Sequence, residues 1–413
     1  MHYVVVGAGP AGVTACDTVR KIDQDANITL IGAEPEPPYS RMAIPYLLTG
    51  KIDETGTYLR KNPDYYSQQN INIIREKVVA VSPANYSLDL DNGKTLEFDR
   101  LLLASGASPV NPPITGVELP AVQHCWTLAD ARAIAARARH GSSVVLMGAG
   151  FIGCIILESL VKRGVKLTIV EMGDRMVPRM MNETAGQLLQ DWCEHKGIRV
   201  ITGHKVTAIK QGDDNLVVQL DTQERLAAQL VITATGVRAN TQYLQGSGLE
   251  IDQGVLVNEY LQSSFDHIYA AGDVAQGRDF STDEYNVQAI QPTAVEHARI
   301  AAKNMVKGNR VVHHGSLNMN VLDTLGLIST SFGQWMGVEG GEEAVLLDQS
   351  RFKYLNLQFK EDSLVGVSSL GHTENMGVVR GLIRGRVKLG QWKSRLQADP
   401  TRLMEAYLAC TQA

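Results

Sequence analysis

Two short glycine clusters carry the most specific chemistry in this 413-residue chain. They are Gly7-Ala8-Gly9-Pro10-Ala11-Gly12 and Gly148-Ala149-Gly150-Phe151-Ile152-Gly153. Both read GxGxxG, a spacing with a mechanical meaning. The first glycine permits a tight turn out of a strand. The second leaves room for a pyrophosphate against the backbone, and the third lets the following helix pack closely on the sheet. The helix start then turns unpaired N–H groups and positive partial charge toward the phosphates. A carboxylate that binds ribose hydroxyls completes such a site, roughly 20 residues past the glycines. Glu34 and Glu171 stand at that distance. At the second cluster a carboxylate favours a free 2′-hydroxyl over a 2′-phosphate, so NADH is preferred to NADPH. Arg175 lies nearby and tempers that preference.

These residues need strands and helices to hold them. His2-Tyr3-Val4-Val5-Val6 and Ser143-Val144-Val145-Leu146-Met147 run unbroken into the two glycine turns, as strands buried on both faces of a parallel sheet do. A helical stretch follows each, then a β-branched strand, Asn27–Ile31 and Lys166–Val170. Two strand–helix–strand units of this kind build parallel sheets through right-handed crossovers. Residues 78–103 alternate short apolar runs around Asn92-Gly93, a hairpin signal. Pro109, Pro112, Pro113 and Pro120 read as a linker. Strand-length runs recur near 200–235 and over 311–370. The stretch 399–411 reads as a helix with Asp399 as its cap and Pro400 at its first position.

Composition narrows the class. A prior of roughly 150 residues per domain gives about three domains. Hydrophobic residues at 44% and charged residues at 20% fit a globular chain. A formal net charge of −5 and a pI near 6.1 argue against a nucleic-acid binder. No apolar run is long enough for a membrane span, and the start lacks the pattern of a signal peptide, so a cytoplasmic protein is expected. Cys16, Cys125, Cys154, Cys193 and Cys410 are too scattered for zinc or an iron–sulfur cluster. They read as free, mostly buried thiols in a reducing compartment. His313-His314 reads as surface, with no metal role.

Further segments carry a resemblance. Leu103–Pro109, Ile232–Arg238 and Tyr269–Ala275 join the two fingerprints in a pattern that resembles the two-dinucleotide flavoproteins. That family includes ferredoxin and rubredoxin reductases, the coenzyme A disulfide reductase and NADH oxidase group, and the flavin domain of the nitrite reductase large subunit. The resemblance spans nearly the whole chain and is clearest over residues 1–310. It implies an α/β fold with two Rossmann-like, glutathione-reductase-like domains and a C-terminal α+β interface domain. FAD would bind residues 1–115 and 239–310, NAD(H) 116–238, and 311–413 would build a homodimer. The implied FAD residues are Gly7, Gly9, Pro10, Ala11, Gly12, Glu34, Arg41, Ala104, Ser105, Gly106, Gly272 and Asp273, the last toward the ribityl hydroxyls. The implied NAD residues are Gly148, Gly150, Phe151, Ile152, Gly153, Glu171, Thr235 and Gly236. Arg41, in Pro38-Tyr39-Ser40-Arg41, would give phosphate a charge-assisted bond.

Three positions depart from the family pattern. Where the coenzyme A disulfide reductase group carries a cysteine beside the flavin, this chain has Met42, whose thioether forms no thiolate. Tyr46 takes the place of a lysine near flavin N5 in ferredoxin reductases, and Ile155 that of a glutamate on the NADH helix. In the family that lysine and glutamate face each other across the nicotinamide pocket. Losing one alone would strand a buried charge at roughly 3–5 kcal/mol, so their joint loss is coherent. Met42, Tyr46 and Ile155 are therefore expected to line a less polar flavin–nicotinamide pocket with no acid–base role. Hydride transfer needs none.

The electrons then need an exit. Arg380, Arg384, Arg386, Lys388, Lys393 and Arg395 form a basic island that suits an acidic carrier such as rubredoxin or ferredoxin. The expectation is an FAD-dependent NADH oxidoreductase serving a redox protein or a reductase partner subunit. The alternatives are an NADH oxidase or small-molecule reductase without a redox cysteine, and a redox-sensing or assembly flavoprotein.

Overall fold

A computed structural model describes residues 1–411 of the chain. Strand β1 (His2–Val6) runs through the first glycine turn into helix α1 (Pro10–Ile22), and β2 (Asn27–Ile31) returns beside it. Strands β3 (Ile71–Ile74) and β4 (Arg100–Leu103) follow. The pattern repeats with β5 (Ser143–Met147), α2 (Phe151–Lys162), β6 (Lys166–Val170), α3 (Glu183–His195), β7 (Arg199–Ile201) and β8 (Leu230–Thr233). The chain then lays down β9 (Ile268–Ala270) and α4 (Gln291–Lys307). It ends in five antiparallel strands and three helices. These are β10 (Met319–Thr324), β11 (Leu327–Gly333), β12 (Glu342–Asp348), β13 (Lys353–Lys360), β14 (Ser363–Leu370), α5 (Met376–Arg384), α6 (Gln391–Ala398) and α7 (Leu403–Thr411).

The chain packs as two compact units. One comprises Met1–Ser108 and Val237–Ser316, the other Pro109–Gly236 and Leu317–Ala413. In the first, a parallel sheet has the order β9-β4-β1-β2-β3. Its central residues, Val4, Val5, Leu30, Leu101 and Leu102, are fully buried, which is why their sequence shows no alternation. In the second, β7-β6-β5-β8 and a short edge strand, Val122–Gln123, form a parallel sheet of the same winding. Both fingerprints therefore leave a central strand at its carboxyl end, where such sheets bind ligands. The antiparallel sheet β10-β11-β14-β13-β12 belongs to the second unit. The two Rossmann-like folds and the C-terminal α+β region are as expected from the sequence.

Four local expectations need correction. The terminal helix begins at Leu403, not next to Asp399. The Asp399 carboxylate instead accepts from the Thr401 N–H and hydroxyl, closing a turn before the helix starts. His313 is not a surface residue. Only 4% exposed, it stacks edge-on against His297, and both rings lie near Ser316 Oγ, at 3.1 and 2.9 Å. The proline-rich stretch 109–120 is not a bare linker either: Ile114 and Leu119 pack on the core of the second unit. The basic island is partly neutralised by acids distant in sequence. Lys393 pairs with Glu342 and Lys388 with Glu361, while Arg395 lies over the Trp392 ring.

Candidate functional site

In the first unit, Gly7 has φ 115°, and a Cβ there would lie 2.0 Å from the Ala104 carbonyl oxygen. A Cβ at Gly12 would lie 1.9 Å from the Gly7 oxygen. These two glycines fix the turn and the helix packing. Gly9 differs, because a Cβ there meets nothing within 4 Å. The packing of the protein itself therefore does not require glycine there. Helix α1 starts at Pro10 and Ala11 with no side-chain cap, no acid in its first turn, and Arg20 and Lys21 in its last. Its amino end therefore keeps free N–H groups and positive partial charge.

Around this cradle stand the charged groups. Arg41 Nη2 donates to Glu34 Oε1 at 2.7 Å and Nη1 to the Tyr39 hydroxyl at 3.0 Å. Tyr39 donates in turn to Glu34 Oε2 at 2.5 Å. Tyr39 was not among the expected ligands. Its place two residues before Arg41 was the available signal, but only the fold shows that it closes the triangle. Across the cradle, Gly272 lets α4 and α1 approach: a Cβ there would meet Ala294 Cβ at 3.2 Å and Ala11 Cβ at 3.5 Å. The next residue is Asp273, whose carboxyl is pushed up to about 6 by burial, with Arg41 pulling the other way. A desolvated acid beside the Gly272 contact of α1 and α4 suits a hydroxyl-bearing ligand that can satisfy it.

The neighbouring turn, Ala104-Ser105-Gly106, is tied within its own unit. The Ser105 hydroxyl donates to the Asn240 carbonyl at 3.0 Å and accepts from Tyr243 at 3.1 Å, and Asn240 N donates to the Gly106 carbonyl. Ala104 N–H bonds Val6. Met42 and Tyr46 are 46% and 53% exposed, and Lys51 Nζ lies 5.7 Å from the Tyr46 ring centre. Their loop is tied to the start of α4 by Ser40, which donates to Gln291 Oε1 at 2.6 Å.

The second unit repeats the cradle but holds its acid differently. Gly148 has φ 99° and would place a Cβ 2.5 Å from the Ala234 oxygen; a Gly153 Cβ would sit 2.1 Å from the Gly148 oxygen. Gly150 again faces open space, ahead of Phe151 and Ile152 at the uncapped start of α2. Glu171 accepts from the Ala149 N–H at 2.6 Å and the Gly173 N–H at 2.7 Å. Its partners are backbone groups, where those of Glu34 are side chains. Val177 N–H bonds the Ala149 carbonyl at 2.8 Å. That valine has φ 44°, a conformation β-branched residues avoid, and is 1% exposed. Arg175 turns onto its own loop instead of toward Glu171: Nη1 holds both Asp174 oxygens, at 2.7 and 2.9 Å, and Nε the Met181 carbonyl at 3.1 Å. Thr235 Oγ1 donates to the Val110 carbonyl, and Gly236 accepts from Val110 N–H. Ile155, on α2, is half-buried. Met42 and Tyr46 belong to the first unit and Ile155 to the second.

The five cysteines are unpaired, and burial raises Cys125 and Cys193 to about 12. Among the described residues no cluster of three or more His, Cys, Asp or Glu could hold a metal ion, and no helix is long and apolar enough to cross a membrane. The arrangement suits two dinucleotides, one per unit. The first unit, with Glu34, Arg41 and Asp273, fits a flavin dinucleotide.

The chain is similar to known proteins. Residues 1–303 match the family described as pyridine nucleotide-disulphide oxidoreductase. The chain is 30% identical to the NADH-dependent phenylglyoxylate dehydrogenase subunit epsilon of Aromatoleum evansii, over 96% of this chain and 95% of that one. It is 33% identical to an NADH oxidase of Methanocaldococcus jannaschii, over 74% of this chain and 70% of that one. The solved complex of putidaredoxin reductase with putidaredoxin superposes with a TM-score of 0.91 at 24% identity, covering 100% of this chain and 99% of that one.

Proposed function

Since the chain belongs to the pyridine nucleotide-disulphide oxidoreductase family, with FAD and NAD(H) as its cofactors, we propose that it oxidises NADH and passes the electrons to a protein acceptor, either a small redox carrier or a partner reductase subunit. The observation that carries this reading is the end-to-end match to a subunit of an NADH-dependent dehydrogenase. A chain of this whole length serves there as one component of a larger enzyme.

Residues 1–115 and 239–310 would hold FAD, residues 116–238 NADH, and residues 311–413 would form a homodimer interface. When bound, the flavin supplies acceptance of a hydride and stepwise release of its electrons. The chain supplies the rest. Gly9 and Gly150 admit the two pyrophosphates, and the amino ends of α1 and α2 meet them with N–H groups. Glu34 and Glu171 take ribose hydroxyls, Arg41 a phosphate, and Asp273 the hydroxyls of the flavin side chain. Met42, Tyr46 and Ile155 would exclude water around the reacting rings without trading protons. The unpaired cysteines support a reducing, cytoplasmic location.

Anaerobic addition of NADH to the FAD-loaded protein should bleach the flavin absorbance; an unchanged spectrum would overturn the proposal. In air and without a partner, NADH consumption should stop after one turnover. Steady consumption would instead favour a second reading, an NADH oxidase, which the match to the archaeal NADH oxidase supports.

A further inference from the structure

We infer that Gly186 sets which dinucleotide the second unit prefers, by giving the Arg175 side chain a place to lie away from the ribose. The inference rests on reading Glu171 as the ribose-binding acid. A 2′-phosphate next to Glu171 needs a cation, and Arg175 is four residues away along the same loop. Its donors are already committed. Nε reaches the Met181 carbonyl, Nη1 both oxygens of Asp174, and Nη2 the Pro178 carbonyl at 3.4 Å. The side chain is only 18% exposed.

This position exists because α3 carries no side chain at residue 186. A Cβ there would lie 2.8 Å from Arg175 Cδ, 3.0 Å from Arg175 Cβ and 2.9 Å from the Met176 oxygen. Two of those three atoms are not free ends of a flexible chain, so any side chain at 186 must push residues 175 and 176 off the helix. Glycine is otherwise disfavoured inside a helix such as Glu183–His195. The segment is also tightly held. Val177, in its strained conformation, accepts from the Met180 and Met181 N–H groups while its own N–H bonds Ala149. A shift at 175–176 therefore reaches the rim of the site.

The test uses the FAD-loaded protein and calorimetric titration with NAD+ and NADP+. Glu171→Gln first removes the carboxylate's repulsion. Adding Gly186→Ala should tighten NADP+ by about fivefold more while moving NAD+ by less than about twofold. Adding Arg175→Ala should cancel that gain. Three results would overturn the inference. One is no gain for NADP+. Another is an equal gain for NAD+, which marks a general loosening. The third is a gain that survives loss of Arg175, as it would if exposed Arg179 supplied the charge. Arg175→Ala alone keeps Gly186 and so adds no atom that could clash; it should leave the preference unchanged, and a selective loss of NADP+ binding would also count against the inference. If the parent protein binds neither dinucleotide, the reading of the site itself falls.

Discussion

Arg41 Nη2 lies 2.7 Å from Glu34 Oε1, and the Tyr39 hydroxyl bridges the two residues. The Arg41 and Glu34 side chains are each about a third exposed, so the pair adds less than about 1 kcal/mol to folding. Its value lies in presenting a fixed acid and a fixed cation to a ligand. Arg41→Ala should therefore cost little in melting temperature but weaken FAD by about tenfold or more. Arg41→Lys should fall between, since one ammonium cannot serve both partners in the same geometry. The flavin-to-protein ratio after gel filtration measures this. Full retention of flavin in Arg41→Ala would refute the role.

The glycines of one fingerprint should separate into two kinds. Gly7→Ala forces a Cβ to within 2.0 Å of a backbone oxygen and should destabilise the fold by about 3 kcal/mol or more. Gly9→Ala meets nothing and should fold normally, yet fail to retain FAD. Gly150→Ala should likewise keep its fold and its flavin while losing NADH affinity. Thermal melts beside flavin content distinguish the classes; equal loss of stability in all three would contradict them.

Asp273 makes a pH prediction. Its folded value is raised from the usual 3.8 to about 6, chiefly by burial. The native chain therefore binds this proton more tightly than the unfolded one. The resulting stability is full below pH 3.8 and is lost as pH rises through about 6. The shift corresponds to on the order of 3 kcal/mol. Asp273→Asn should thus melt higher than the parent near neutral pH, with the difference vanishing toward about pH 4. A pH-independent difference would mean that the carboxyl is not desolvated.

His297 contributes the opposite slope. Burial, and then the neighbouring His313, lowers it from 6.5 to about 3. Stability is full above 6.5 and is lost as pH falls toward about 3. At pH 5 the loss from this residue is about 2 kcal/mol. His297→Gln keeps a polar group near Ser316 but cannot be protonated, so its melting temperature should fall less between pH 7 and pH 5 than the parent's. Parallel curves would show that His297 titrates normally.

Local signals account for what the sequence made readable. The unbroken apolar strands, the glycine turns and the acids about 20 residues on all sit within single strand–helix–strand units, and those elements begin and end as expected. The unreadable parts depend on partners far apart in the chain. Nothing near His313 announces that His297 of α4 packs edge-on against it. The basic run 377–395 gives no sign that Glu342 and Glu361 come to meet it. Nothing near Arg175 announces that its side chain packs against Gly186 of the following helix.

The two acids also suggest different rhythms of use. Glu34 shares a network with Tyr39 and Arg41, so a ligand bound there engages several side chains at once and must break with all of them to leave. Glu171 rests on the backbone of its own rim, at Ala149 and Gly173, and nothing has to be dismantled when its ligand departs. The first arrangement suits a molecule that stays for the life of the protein. The second suits one that arrives and leaves with every turnover.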